Sequence, residues 1–148
     1  MAEAFLRKYG GTEFKVYSAG LQPSEIDPLT IKVMEEVGID LTDHYSEPLR
    51  NYWGKMIFDC LVIMCEKADK ECFLFPGVTH RLVWPLEDPG TNEMPQETKL
   101  EAFRRTRDRV QQRIQEWLKD RKAPLPMDRT NEEIGAVNQP LSASLHFH

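Results

Sequence analysis

Cysteine, long apolar runs and excess positive charge are all scarce in this 148-residue sequence. There are three cysteines, Cys60, Cys65 and Cys72. An odd number, with no basic-then-apolar leader at Met1-Ala2-Glu3-Ala4, argues against a structural disulfide framework and suits a reducing compartment such as the cytoplasm. There, thiols serve as core filler, metal ligands or reactive groups. No apolar run approaches the roughly 20 residues needed to cross a bilayer, so no membrane partner is expected. The formal net charge is −5, which argues against a phosphate-backbone partner and therefore against nucleic acid. The densest basic cluster, Arg104 to Arg109, is interrupted by an acid in a helical pattern and reads as a solvated helix face. There are no internal repeats and no cofactor is expected. His146 and His148 form a His-x-His pair, too few ligands for a metal site.

What is present reads as alternating helices and strands. Residues 1 to 9 look helical and stop at Gly10-Gly11. No Ser, Thr, Asp or Asn precedes this helix to cap it, so it reads as a helix cut from its entry loop. Phe14-Lys15-Val16-Tyr17-Ser18 alternates as a strand and closes at Ala19-Gly20. Asp27-Pro28 is an N-cap followed by proline at the first helical position, opening a helix that Gly38 ends. Ser46-Glu47-Pro48 predicts a further short helix running towards Trp53. The run Ile57 to Met64 is nearly all apolar, as expected of a strand buried on both faces of a parallel sheet. Glu66 to Cys72 predicts one or two helical turns, and Arg81 to Trp84 a last short strand. From 96 to 121, Leu100, Phe103, Val110, Ile114, Trp117 and Leu118 recur at spacings of three, four and seven, the pattern of an amphipathic helix. Pro124, Pro126 and Pro140 break any pattern beyond it. The expectation is a domain over residues 1–121, with 122–148 a tail, either flexible or docked by its last apolar residues. Such alternation builds a three-layer α/β domain with a parallel sheet. Ligands of such sheets sit at the carboxyl ends of the strands, which places Ser18, Cys65 and the loop bearing Asp88 at one rim.

Cys65 follows a buried strand at a strand-to-helix junction. Backbone N–H groups, Lys67 and Lys70 would favour a thiolate there. Cys72 lies seven positions on. In an unbroken helix the two Cα atoms would stand about 10 Å apart along the axis, whereas a disulfide needs under about 7 Å. A bridge therefore requires the helix to unwind; otherwise these are two unrelated thiols. Cys60, inside the apolar strand, reads as core. Asp88-Pro89 is either turn chemistry or a carboxylic acid held over the rim as a general acid. His44 and Ser46 could serve as caps.

The ordered set of segments resembles the thioredoxin-coupled arsenate reductases of the low-molecular-weight tyrosine phosphatase superfamily. The set runs from Met1-Ala2-Glu3-Ala4-Phe5 through Val16 to Leu21, Val37 to Leu41 and His44-Tyr45-Ser46. It continues with Asp59 to Cys65, Cys72, Trp84, Asp88-Pro89 and Ala102 to Asp108, ending near Trp117-Leu118. The Cys-x6-Cys between a buried strand and an Asp-Pro loop is its most specific element. The resemblance implies a flavodoxin-like fold and a relay of three cysteines. The first attacks arsenate from a Cys-x5-Arg loop, the second attacks the thiol–arsenate adduct and releases arsenite, and the third resolves the disulfide for thioredoxin. Cys65 matches the second cysteine, Cys72 the third and Asp88 the acid. Ser18 and His44 match support for the oxyanion loop.

No Cys-x5-Arg is present. Six positions after Cys60, Cys65 and Cys72 stand Glu66, Glu71 and Val78. The resemblance implies that the loop and the first strand, which lies inside the sheet, would precede Met1. The expectation is thus an N-terminally truncated arsenate-reductase-type domain, inactive as written, with arsenate or another oxyanion and thioredoxin as its partners. A phosphatase of the same fold and a non-catalytic or partner-binding remnant are the alternatives. A missing inner strand would leave two unpaired edges. Self-association is the favoured remedy. The alternative is that the tail fills the gap with Leu145-His146-Phe147-His148. Mild oxidation is expected to join Cys65 to Cys72 and leave Cys60 reduced.

Overall fold

A computed structural model describes residues 1–22, 24–64, 75–90, 95–122 and 141–146, with the backbone alone for 122 and 141–146. Cys65, Cys72 and the turns expected between Glu66 and Cys72 lie outside these residues. Helix α1 spans Ala2–Gly10, and Gly11 ends it at φ 57°, a conformation glycine adopts without steric cost. Strand β1 is Phe14–Gly20. Helix α2 is Pro28–Glu35, and the Asp27 carboxylate caps it by accepting from the Leu29 N–H at 2.7 Å. Strands β2 (Glu47–Pro48), β3 (Phe58–Ile63) and β4 (Val78–Val83) follow. Then come the long α3, Gln96–Lys122, and β5, Leu141–His146.

Two expectations are corrected. The stretch after Ser46 is not a helix. Glu47 and Pro48 pair in parallel with Ala19 and Gly20, and only Leu49–Asn51 makes a single 3-10 turn. A residue before proline is pushed towards extended backbone, and Pro48 itself is extended at φ −71°, ψ 137°. The last strand of the first 90 residues begins at Val78 instead of Arg81, because its amino half is held by the ladder to β3 and not by burial.

All strand pairs are parallel, in the order β2-β1-β5-β3-β4. The interior position between β1 and β3 is filled by β5, from residues assigned to the tail. Its register runs from Phe14↔Leu141 to Ala19↔His146 on one side and from Cys60↔Ala143 to Ile63↔His146 on the other. The favoured expectation, that the gap would recruit a second copy, weighed only the short stretch from Leu145. The strand starts four residues earlier, directly after Pro140, and so is long enough to ladder on both edges.

Two apolar layers sandwich the sheet. Val16, Cys60, Val62 and Met64 pack with Phe5 and Leu6 of α1, Val33 and Met34 of α2, and Phe103, Val110 and Ile114 of α3. On the other face Leu61 and Ile63 pack with Phe58, Leu49 and Phe75. Cys60 and Val62 thus enter one layer and Leu61 and Ile63 the other, as the two-residue period of a strand requires, while Phe58 at the strand's start joins the second layer. Each fully buried Leu or Phe contributes roughly 1.5–3 kcal/mol.

Candidate active site

The carboxyl ends of β1 and β3 and the loop after β4 open on one cavity of about 490 Å³. β1 brings Ser18 and Ala19, β3 is continued by Met64, and the loop after β4 brings Leu86 to Gly90. Met1 and Glu3 at the start of α1, the entry to α2, the loop carrying His44, and Phe103 and Thr106 of α3 complete the wall. Ser18, His44 and Asp88, far apart in sequence, are therefore brought together. Cys65 is bonded directly to Met64 in this wall but is itself outside the described residues, as is Cys72. Cys60 is away from the cavity. It is buried, and burial pushes its thiol up to about 11.

The Ser18 hydroxyl donates to Glu3. Glu3 also pairs with Arg7 at 2.7 Å, and Arg7 donates to the Val16 carbonyl at 3.0 Å. The arrangement ties α1 to the end of β1 and fixes Ser18 at the cavity. Asp88 accepts from the Gly90 N–H at 2.8 Å, an Asx turn that holds the Pro-Gly loop, and its carboxylate is exposed. Both readings of Asp88 thus fit the geometry: it shapes the turn and stands at the rim. His44 Nδ1 is buried and has no hydrogen-bond partner among the described residues. Behind the rim, Glu47 accepts from Tyr52 at 2.5 Å; the bond holds the Glu47 carboxyl below its ordinary range, and burial raises the Tyr52 phenol.

The charge of the cavity departs from what an oxyanion needs. Among the described residues its wall carries Glu3, Glu25, Asp27, Glu87 and Asp88, and no lysine or arginine. The carboxylates repel an entering dianion; against them the described wall offers the Met1 amino group, lowered by burial to about 6, and backbone N–H groups. Sequence reasoning passed over Glu3, Met64 and Glu87. Glu3 carried one readable signal, its i,i+4 spacing to Arg7 on α1. Met64 and Glu87 carried none beyond lying next to residues that were named. Among the described residues no cluster of three His, Cys, Asp or Glu is placed to hold a metal ion. No described helix is long and apolar enough to cross a membrane.

The family model for low molecular weight phosphotyrosine protein phosphatase matches residues 1–126. The chain is 35% identical over 114 residues to an arsenate reductase of Halalkalibacterium halodurans, covering 77% of this chain and 81% of that one. It is 33% identical over 117 residues to an arsenate reductase of Bacillus subtilis, covering 79% and 84%. Among solved structures it matches an arsenate reductase in the reduced state at a TM-score of 0.65 and 30% identity, over 82% of this chain and 87% of that one. An arsenate reductase in the phosphate binding state matches at 0.63 and 30%, over 80% and 86%.

Proposed function

The chain belongs to the low-molecular-weight phosphotyrosine protein phosphatase family, and from that premise we propose that it is an arsenate-reductase-type thiol redox domain. The observation that carries the reading is the convergence of Ser18, His44 and Asp88 on one cavity whose wall includes Met64, the residue bonded to Cys65. In this reading Cys65 is the second cysteine of the relay, Cys72 resolves it, Asp88 supplies the proton, and Ser18 and His44 support the oxyanion loop. The complete reaction starts from a first thiol on a Cys-x5-Arg loop, which these 148 residues do not contain; with it, two thiols would become a disulfide while arsenic takes up the electron pair and one oxygen leaves as water, and thioredoxin, in the cytoplasm, would return the disulfide to thiols. The relatives named arsenate reductase and the Cys-x6-Cys spacing support this over a phosphatase. Phosphoester hydrolysis needs only one thiol nucleophile.

The acidic wall and the absent Cys-x5-Arg add a second part to the proposal. This polypeptide by itself neither reduces arsenate nor hydrolyses p-nitrophenyl phosphate, since each donor of an oxyanion cradle is worth about 10²–10³ in rate. That part favours a non-catalytic role for the isolated 148 residues. Two measurements test the reading. Peptide mapping after mild peroxide treatment is expected to recover Cys65 joined to Cys72 with Cys60 reduced. A thioredoxin-coupled assay with arsenate is expected to stay at buffer background. Cys60 in the bridge, or both Cys65 and Cys72 free under conditions that oxidise glutathione, removes the redox reading. Turnover abolished by Cys65→Ser removes the inactivity.

A further inference from the structure

The cavity at the carboxyl ends of the strands is larger than a tetrahedral oxyanion requires. At about 490 Å³ it lies within the range of roughly 300–1,000 Å³ typical of sites that seat an organic molecule. Its wall is divided by chemistry. Ile26, Leu41, Met64, Leu86 and Phe103 supply an apolar part, each from a different segment of the chain. Leu41, Met64 and Phe103 belong to the buried core, and Ile26 and Leu86 pack against it. The burial that folds the domain therefore also fixes this part of the wall.

The polar part carries the carboxylates of Glu3, Glu25, Asp27, Glu87 and Asp88. Arg7 offsets Glu3. The Met1 amino group, lowered by burial to about 6, is mostly uncharged at pH 7 and offsets little of the rest. Carboxylates grouped in a cleft raise the local concentration of cations, but charge alone selects no particular ligand. Two further features do. Tyr45 lines the same cavity with 71% of its surface exposed, and Glu47 accepts from its hydroxyl, which fixes the position of the ring. An exposed ring face attracts a cation that comes within about 6 Å. His44 Nδ1, in the same wall, is buried without a hydrogen-bond partner among the described residues. The wall thus holds hydrogen-bonding capacity that the described residues do not use.

We propose that this cavity binds an amphipathic organic cation, an alkyl- or arylalkylammonium whose apolar body lies on Ile26, Leu41, Met64, Leu86 and Phe103 and whose charge is met by the carboxylates and the Tyr45 ring. An inorganic cation would use none of the apolar wall. A neutral apolar molecule would strip water from the carboxylates and return no partner to them. An anion would be repelled. The site does not rest on the redox reading: Cys65 and Cys72 take no part in it, and it stands or fails whatever they do.

The test titrates the full chain with three molecules that share one body and differ in charge: phenethylamine, phenethyl alcohol and hydrocinnamate. Binding is followed at pH 7 through the methyl resonances of Ile26, Leu41, Met64 and Leu86. The amine is expected to saturate in the millimolar range or below, as befits so small a ligand. The alcohol is expected to bind at least roughly tenfold more weakly, the value of one hydrogen bond to a charged group, and hydrocinnamate more weakly still. Glu25→Gln/Glu87→Gln is expected to lose roughly tenfold towards the amine and to bind the alcohol as the parent does, which also shows that the variant is folded. In the parent, about 0.5 M NaCl is expected to weaken the amine and spare the alcohol, a check that needs no substitution. The proposal is overturned if the amine does not saturate by about 20 mM, or if its shifts fall on methyl groups outside this wall. Alcohol or hydrocinnamate binding as tightly as the amine overturns it too. So does an amine affinity that salt leaves unchanged, or that a folded Glu25→Gln/Glu87→Gln variant keeps, because the carboxylates then play no part.

Discussion

β3 and β5 lie side by side and run in the same direction, yet they are made of opposite materials. β3 reads Phe-Asp-Cys-Leu-Val-Ile, and every residue but Asp59 is buried. It follows closely in sequence on the turn at Tyr52 to Lys55. β5 reads Leu-Ser-Ala-Ser-Leu-His and arrives from eighteen residues beyond α3. The first strand is fixed by what its side chains bury. The second is fixed by its backbone, because a slot between two parallel strands offers a full set of N–H and C=O partners to any extended segment that reaches it. Position in a sheet and quality as a strand are therefore separable.

The difference predicts unequal responses to mutation. Leu61→Ala removes a fully buried side chain from the middle of β3 and is expected to cost about 2–5 kcal/mol in urea unfolding. A loss under 1 kcal/mol would mean that β3 is no better anchored than its neighbour. The next largest effect concerns Cys60, which faces β5 in register at Ala143. Burial holds its thiol at about 11 against an ordinary value of 9.0. At pH 8 its alkylation, located by peptide mapping, should run about a hundredfold slower than in urea, from the two-unit difference in thiolate supply. Comparable rates would mean that the slot stands open. Smaller still is Ser144→Val, expected to raise stability by up to about 1 kcal/mol. A loss of that size would show that the serine is matched to its place, and would erase the contrast between the strands.

The same contrast explains what the sequence disclosed. β3, α2 with its Asp27 cap and the apolar stripe of α3 announce themselves because burial and capping leave periodic or positional marks in the residues. β5 leaves almost none: its pairing is a property of the slot, written in β1 and β3. β2 was hidden for a related reason, since Glu47-Pro48 pairs over only two residues and a Ser-Glu-Pro start is equally a helix signal. At the cavity, Ser18 and Asp88 were expected at one rim from the strand ends and the Asp-Pro loop, whereas His44 read as a cap and joined them only through the resemblance. The acidity of the wall was not, because Glu25, Asp27 and Glu87 join Glu3 only once the loops close around it.

The smallest effect belongs to the helical layer, which serves as the control for both strands. Glu36 follows α2, and its carboxylate accepts from Arg104 at 2.6 and 2.9 Å and from Arg107 at 2.9 Å, joining α2 to α3. Arg107 is buried and also donates to the Val33 carbonyl at 2.9 Å. The Arg104 hydrogen bonds lower the Glu36 carboxyl from its ordinary 4.5 to about 2; partial burial opposes the shift, and Arg107 adds to it. Because the folded value lies below the unfolded one, the stabilising contribution is present in full above about 4.5. It is lost as pH falls through about 2, when the carboxyl protonates in the folded state as well. Glu36→Gln keeps a hydrogen-bond acceptor and removes the charge. The variant should therefore be less stable than the parent at pH 7, and the gap should narrow between pH 4.5 and 2. Because Glu36 and Arg104 are each about a third exposed, the gap at pH 7 should also shrink in 1 M salt, as screened pairs do. Urea unfolding of both proteins at pH 7, 4.5 and 2.5 measures it. A gap that does not change with pH would assign the loss to geometry at Arg107 instead of charge. The amides of β5 should exchange at the same rate in parent and variant. If they exchange faster in Glu36→Gln, the helical layer and the slot are coupled, and the strands cannot be compared as independent elements.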